Sequence, residues 1–244
     1  SAGAALLQKH ERQTMIASSY GVGEMILAAI HNNCTRMNIG LGGSIVSDCG
    51  IGMAQALGVV FLNKSGQRMV PVASKGFNAL SLNEIHSIKF DELKITPSDI
   101  EILVASDVNI PLLGTNGQAA TFGPQKGANQ SEIEYLEKGF KKLHNIFMSS
   151  CKMDIDIALS GAAGGLGAGL YGFIKGKLCL GAELVANETN LYEKINNADI
   201  VIVGEGKLDQ TTLHNKAPFF TMTLAKKLRK KVIAIVGSYQ ENTN

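Results

Sequence analysis

The sequence predicts an α/β protein containing a parallel sheet, on three observations. Helical and extended patterns alternate along the chain. Two strand-like runs, DIVIV at 199–203 (apolar after its leading Asp) and VIAIV at 232–236, flank one amphipathic helix, which is the pattern of a buried parallel βαβ unit. The 244 residues are 45% hydrophobic and 18% charged. That suffices for a sizeable core in one large or two modest domains and excludes a disordered chain.

In chain order, residues 22–32 carry Ile26, Leu27, Ala29 and Ile30 at helical spacing after a Ser-Ser-Tyr-Gly start. Residues 37–42 form a short extended run ending in Gly-Gly-Ser. A helix over 51–57 is stopped by Gly58, followed by a strand at 59–62 and a turn at 63–66. Residues 100–106 (IEILVAS) read as a strand, 107–128 as a loop and 131–149 as a helix. A doubtful strand at 154–158 leads into the glycine-rich stretch SGAAGGLGAGLYGF and a helix to Phe173. Residues 177–181 are a poor strand. The strand 199–203 opens into a long loop at 204–214, then a helix at 217–229 and the last strand.

The glycine-rich stretch contains Gly167-Ala-Gly-Leu-Tyr-Gly172, which fits the dinucleotide fingerprint G-x-G-x-x-G. That fingerprint requires a buried strand immediately before it and an acid at a strand end about twenty residues later. Asp154-Ile-Asp-Ile-Ala is a poor strand and Glu188 falls in a helix, so an NAD-dependent oxidoreductase is disfavoured. Six glycines and four alanines among residues 157–174 likewise argue against a membrane span. A net charge of +2 gives no reason to expect a nucleic-acid or membrane partner. The cluster Lys226-Lys-Leu-Arg-Lys-Lys231 suits a helix C-terminus. Cys34, Cys49, Cys151 and Cys179 form no C-x-x-C pair and the five histidines have no ligand spacing, as expected of a reduced, cytoplasmic protein without a zinc site.

Three segments carry candidate chemistry. Gly42-Gly-Ser-Ile-Val-Ser-Asp48 lies where a strand gives way to a helix, so its amides suit an anion. Asp48 is placed there either to serve a metal or proton or to cap the next helix. Phe122-Gly-Pro-Gln-Lys-Gly127 sets Lys126 on a loop that can reach a phosphate, though an ordinary surface lysine fits equally. Gly204-Glu-Gly-Lys-Leu-Asp-Gln-Thr-Thr-Leu-His214 leaves the carboxyl end of a strand, where open α/β sheets place ligands. It carries Glu205, Lys207, Asp209 and His214 within a few residues.

Together these segments resemble the bacterial glycerate kinase family. Its ordered landmarks are similar to Ser19-Tyr-Gly-Val-Gly-Glu24, Leu41-Gly-Gly-Ser-Ile-Val-Ser-Asp-Cys-Gly-Ile-Gly-Met53, Asp107-Val-Asn-Ile-Pro-Leu112, the Phe122 loop, GAAGGLGAGL at 161–170 and GEGKLDQTTLHNK at 204–216. The chain departs from the family at Ile45-Val-Ser47, where the family has Ala-Thr-Asn, and at Ile110, where it has Asn. The resemblance implies transfer of the γ-phosphoryl group of ATP to a hydroxyl of D-glycerate, with Mg²⁺. It also implies two α/β domains, one a Rossmann-like layered sheet interrupted by the other. Mapped here, 11–62 and 197–244 form the layered domain and 63–196 the inserted one.

The family pattern begins before Ser1, with an Asp-Ser-Phe-Lys loop, and continues past Gly237-Ser238. The chain is therefore expected to be a fragment, and an inactive fragment or binding domain is the alternative to a kinase. In the implied site Gly42, Gly43, Ser44, Gly164, Gly165 and Gly167 present amides, and Lys126 and Lys207 neutralise charge. Asp107 and Glu205 hold metal, His214 contacts substrate, and Asp48 or Asp209 accepts the hydroxyl proton. Association into a homo-oligomer is compatible with the sequence.

Overall fold

The computed structural model describes residues 3–4, 7–8, 12–71, 76–208 and 217–239. By internal contacts the chain divides into two compact units, Ser1–Leu178 and Cys179–Asn244.

In the first unit, α1 (Tyr20–His31) and α2 (Ile51–Ala56) pack together around Gly23, where an added Cβ would lie 2.5 Å from the Met53 carbonyl oxygen. Between them runs β1 (Arg36–Leu41). A short strand β2 (Val60–Leu62) pairs antiparallel with β3 (Ser87–Lys89). Strand β4 (Glu101–Ser106) lies parallel to β1 in the register Arg36↔Glu101 to Leu41↔Ser106. After β4 come α3 (Gln118–Phe122), a 3₁₀ turn at Pro124–Lys126 and α4 (Gln130–Ile146). The N-terminus of α4 is fixed by a reciprocal capping box between Asn129 and Glu132. Helix α5 (Ala162–Ile174) follows, then β5 (Lys177–Leu180), which completes the sheet order β1-β4-β5.

The core of this unit gathers on Phe173 of α5. Its ring meets Phe147 edge-on at 5.0 Å and Phe61 at 5.8 Å. Gly172 permits the approach, since a Cβ there would lie 2.8 Å from the Phe147 ring.

The second unit holds α6 (Gly181–Glu188), α7 (Leu191–Asn196), β6 (Ile200–Leu208), α8 (Ala217–Lys227) and β7 (Lys231–Tyr239), with β6 and β7 parallel. Its buried apolar cluster is Ile195, Val201, Val203 and Ala225. The βαβ reading is correct in direction, but burial reaches only one face. Val201 and Val203 point inward, whereas Ile202 and Ile235 are 64% and 63% exposed.

The α/β class therefore holds, with four local differences, the first being that residues 204–208, expected as the start of a loop, continue strand β6. Residues 154–158 form no strand, and residues 177–180 do. The expected loop 107–128 contains α3. Residues 11–62 share their contacts with 63–178 in the first unit. The physical reason is that β1 takes its parallel partner from β4, some sixty positions on, and apolar runs alone do not reveal long-range pairing.

Candidate functional site

Leu41 and Ser106 are the last residues of the adjacent parallel strands β1 and β4, and the chain beyond both opens onto one cavity of about 210 Å³. Ligands of open α/β sheets bind outside the carboxyl ends of the strands. Gly42, Gly43 and Ser44 line the cavity after β1, and Asp107 and Val108 after β4. Phe122, Gln125 and Lys126 come from the end of α3 and its 3₁₀ turn, and Ala162, Ala163 and Gly164 from the start of α5. Three of the segments singled out in the sequence thus meet at one place.

Lys126 is the cation of this cavity, and only 8% of its surface is exposed. Its Nζ donates to the Val46 carbonyl at 2.6 Å and to Ser44 Oγ at 3.4 Å. Burial lowers its pKa to about 8, against the opposing pull of Asp48. It is therefore no ordinary surface lysine but an amine held near the point of losing its proton.

Asp48, one of the two expected proton acceptors, is the hub of a buried hydrogen-bond network. It is fully buried and does not line the cavity. Its Oδ2 accepts from the Ser19 N–H at 2.7 Å, the Ser19 hydroxyl at 2.8 Å and the Gly52 N–H at 3.3 Å, and its Oδ1 from the Gly50 N–H at 3.1 Å. Ser19 Oγ in turn accepts from Met53 N–H at 2.9 Å. One carboxylate thus holds the first turns of α1 and α2, the capping role in extended form. Burial pushes its pKa up, and the bonds from Ser19, Gly50 and Gly52 oppose the shift. Asp48→Asn leaves one amide oxygen for four donors and turns an NH₂ toward N–H groups. Urea unfolding is expected to show a loss of about 3 kcal/mol, with ligand affinity per folded molecule compared well below pH 8, where Lys126 stays charged. A proton acceptor would instead lose turnover with the melting curve unmoved.

The glycine-rich stretch serves mainly for close packing. Residues Ala163, Gly164 and Gly165 all have positive φ (52°, 74° and 80°), so α5 becomes regular only after them. Of the three glycines expected to present amides, only Gly164 lines the cavity. A Cβ on Gly164 would sit 1.8 Å from the Val46 oxygen, and one on Gly165 3.1 Å from Cys49 Sγ. Gly167 faces the Leu159 and Ser160 carbonyls at 2.9 Å, and Gly169 faces Cys49 O at 2.5 Å. These contacts account for the G-x-G-x-x-G spacing without a dinucleotide.

Glu205 and Lys207 lie on β6 in the second unit, while Asp209 and His214 fall outside the described residues. Among the described residues no three or more His, Cys, Asp or Glu side chains converge as a metal cluster. Asp107 is the acid among the cavity's lining residues. One carboxylate beside amides and an ammonium fits Mg²⁺, which is commonly held through one or two carboxylates, waters and substrate phosphates. Gln125, Phe122 and Ala163 were not singled out by sequence, although the Phe-Gly-Pro-Gln-Lys motif contained two of them. No helix among the described residues is long and apolar enough to cross a membrane.

A model of the glycerate kinase family matches residues 1–244. Glycerate 2-kinase of Escherichia coli strain K12 is 37% identical over 241 residues, covering 98% of this chain and 62% of the relative. A glycerate kinase of Halalkalibacterium halodurans is 38% identical over 237 residues, covering 97% and 61%. The crystal structure of a candidate glycerate kinase 2 from Salmonella typhimurium LT2 superposes with a TM-score of 0.85 at 36% identity, over 97% of this chain and 62% of that one. The chain thus spans about 62% of the length of such relatives. Its motifs, its fold and the full-length family match agree: the chain belongs to the glycerate kinase family.

Proposed function

We propose that the protein takes part in ATP-dependent phosphorylation of D-glycerate and that the cavity at the ends of β1 and β4 binds an anionic part of the reactants. The observation that carries this reading is the joining of Lys126 with Gly42, Gly43 and Ser44 at the carboxyl ends of two parallel strands. Phosphoryl transfer asks a protein for positioning and charge neutralisation rather than covalent chemistry.

An oxygen–phosphorus bond forms to the glycerate hydroxyl as the bond between the γ-phosphorus and the ADP oxygen breaks, and the hydroxyl proton passes to a base. Lys126 and the amides of Gly42 and Gly43 balance the negative charge of phosphate or glycerate carboxylate. Asp107 would hold Mg²⁺, which when bound neutralises phosphate charge and orients it. For the motif at 204–216 we retain the roles implied by the family pattern: Asp209 as proton acceptor, His214 as substrate contact, Glu205 toward metal and Lys207 toward charge. The test is glycerate-dependent ADP release from ATP and Mg²⁺; release no faster than with ATP alone overturns the reading.

A pH dependence follows from Lys126. An anion prefers the ammonium form, which is complete well below pH 8 and disappears as pH rises through about 8 in the free protein. Affinity for sulfate, whose charge does not change in this range, is expected by calorimetry to be flat below that point and to fall about tenfold per pH unit above it. Binding at pH 8 to 9 is expected to take up a proton. A flat profile to pH 10 would separate Lys126 from the anion.

A further inference from the structure

We propose that Asp156 is a positioning residue that sets the spacing of the cavity walls by accepting the backbone N–H groups of Leu112 and Leu113. Both bonds reach the same Oδ1, at 2.8 Å and 3.0 Å. The next amide, Gly114, donates to Glu137 Oε1 of α4 at 2.8 Å. Three consecutive amides of one loop therefore turn onto two carboxylates, the arrangement in which successive N–H groups form an anion-binding concavity. Here the anions are the protein's own side chains.

What this knot joins gives it its importance. Asp107 and Val108 precede it, and Phe122, Gln125 and Lys126 follow it; all five line the cavity. Leu112 also accepts from Gln118 N–H at 3.1 Å, so the start of α3 is tied to the same point. On the other strand of the knot, Asp156 lies five residues before Gly161, whose N–H donates to Ile110 O at 3.1 Å. Gly161 packs so closely that a Cβ there would lie 2.1 Å from Pro111 O. Immediately after it come Ala162, Ala163 and Gly164, a further wall of the cavity.

Asp156 is itself fixed. Its N–H donates to Asp154 Oδ1 at 2.9 Å, and that oxygen meets His144 Nε2 of α4 at 3.0 Å. The 154–161 segment, the 110–114 loop and α4 thus form one frame, from which Asp107, Lys126 and Gly164 all hang. Asp156 does not line the cavity and acts only through the loop. One oxygen that receives two successive amides fixes both of them, which suits a joint that must hold three walls in register.

The experiment is residue-resolved amide hydrogen exchange on the ligand-free chain, together with inorganic phosphate affinity, for Asp156→Ala and Asp156→Asn. The alanine variant is expected to speed exchange at Asp107, Val108 and residues 122–127 about tenfold beyond any change in the interior of α4, and to weaken phosphate about tenfold. The asparagine amide oxygen accepts the same two bonds, so that variant is expected to stay within about threefold of wild type on both readouts. Faster exchange confined to residues 112–114, or a uniform rise that includes α4, overturns the proposal. So does an asparagine variant as damaged as the alanine one. Should Asp156→Ala not fold, Asp156→Glu shifts the acceptor by one methylene and carries the same expectation as alanine. The phosphate readout rests on the function proposed above. A wild type that binds no phosphate counts against that function, while the exchange pattern still decides the positioning role.

Discussion

Gly164→Ala is expected to cost about 4 kcal/mol of stability, enough to unfold much of a marginally stable chain. Gly164 has a φ of +74°, and its missing Cβ would lie 1.8 Å from the Val46 carbonyl oxygen and 2.6 Å from its carbon. Neither neighbour can yield cheaply, because both are backbone. Gly164 O accepts from Cys49 N–H at 3.1 Å, and Val46 O accepts from Lys126, so the two segments are fastened at the point of the clash. Gly43→Ala is the control. Its φ is +56°, but nothing lies within 4 Å of an added Cβ. It is expected to cost only the left-handed strain, about 1 kcal/mol. Urea unfolding of the two variants checks the pair, and equal losses would show that backbone strain rather than the close approach dominates.

Lys126→Met is expected to lower phosphate affinity and glycerate-dependent turnover a hundredfold to a thousandfold, roughly the loss from deleting one preorganised charge partner. Stability should move far less. Holding the amine at a pKa of about 8 instead of 10.5 costs the fold about 3 kcal/mol at neutral pH, and methionine removes that cost. Against this, Val46 O loses its donor, worth about 1–3 kcal/mol. The sign of the pH effect is fixed. Between pH 8 and 10.5 the unfolded chain keeps the Lys126 proton that the folded chain has lost, so wild-type stability rises with pH across that window through this group. The methionine variant lacks that rise. Denaturant melts at several pH values read it, alongside calorimetric phosphate binding. A variant that loses stability but keeps its affinity would show Lys126 to be a prop for the 44–46 loop alone.

The carboxyl-end location of the site was legible because strand runs followed by Gly42-Gly-Ser and by Asp107 are local signals. That these two strands are neighbours was not legible, since register is set by pairing across long sequence distance. Lys126 was legible as a lysine able to reach a phosphate but its burial was not, because nothing in Phe-Gly-Pro-Gln-Lys reveals it; the 3₁₀ turn that folds it inward ends at Gly127, with a φ of +87°. Asp48 carried both meanings in sequence, and the choice depended on Ser19, which reaches it from another helix start. The glycine run read as an anion cradle because close packing and ligand approach demand the same residue type. Asp156 was concealed by its neighbour: two acids alternating with isoleucines look like an edge strand, whereas each accepts a bond from a loop amide.

The second unit's small interior bears on how the chain comes apart. Its apolar cluster is built on Ile195, Val201, Val203 and Ala225, while the first unit's runs from Met15 to Ile174 around five linked phenylalanine rings. Clusters so unequal are expected to give way at different temperatures. Heating is expected to release β6, α8 and β7 first, giving a calorimetric enthalpy larger than the van't Hoff value. The early intermediate would newly expose Ile195, Val201, Val203 and Ala225, apolar surface through which chains adhere to one another.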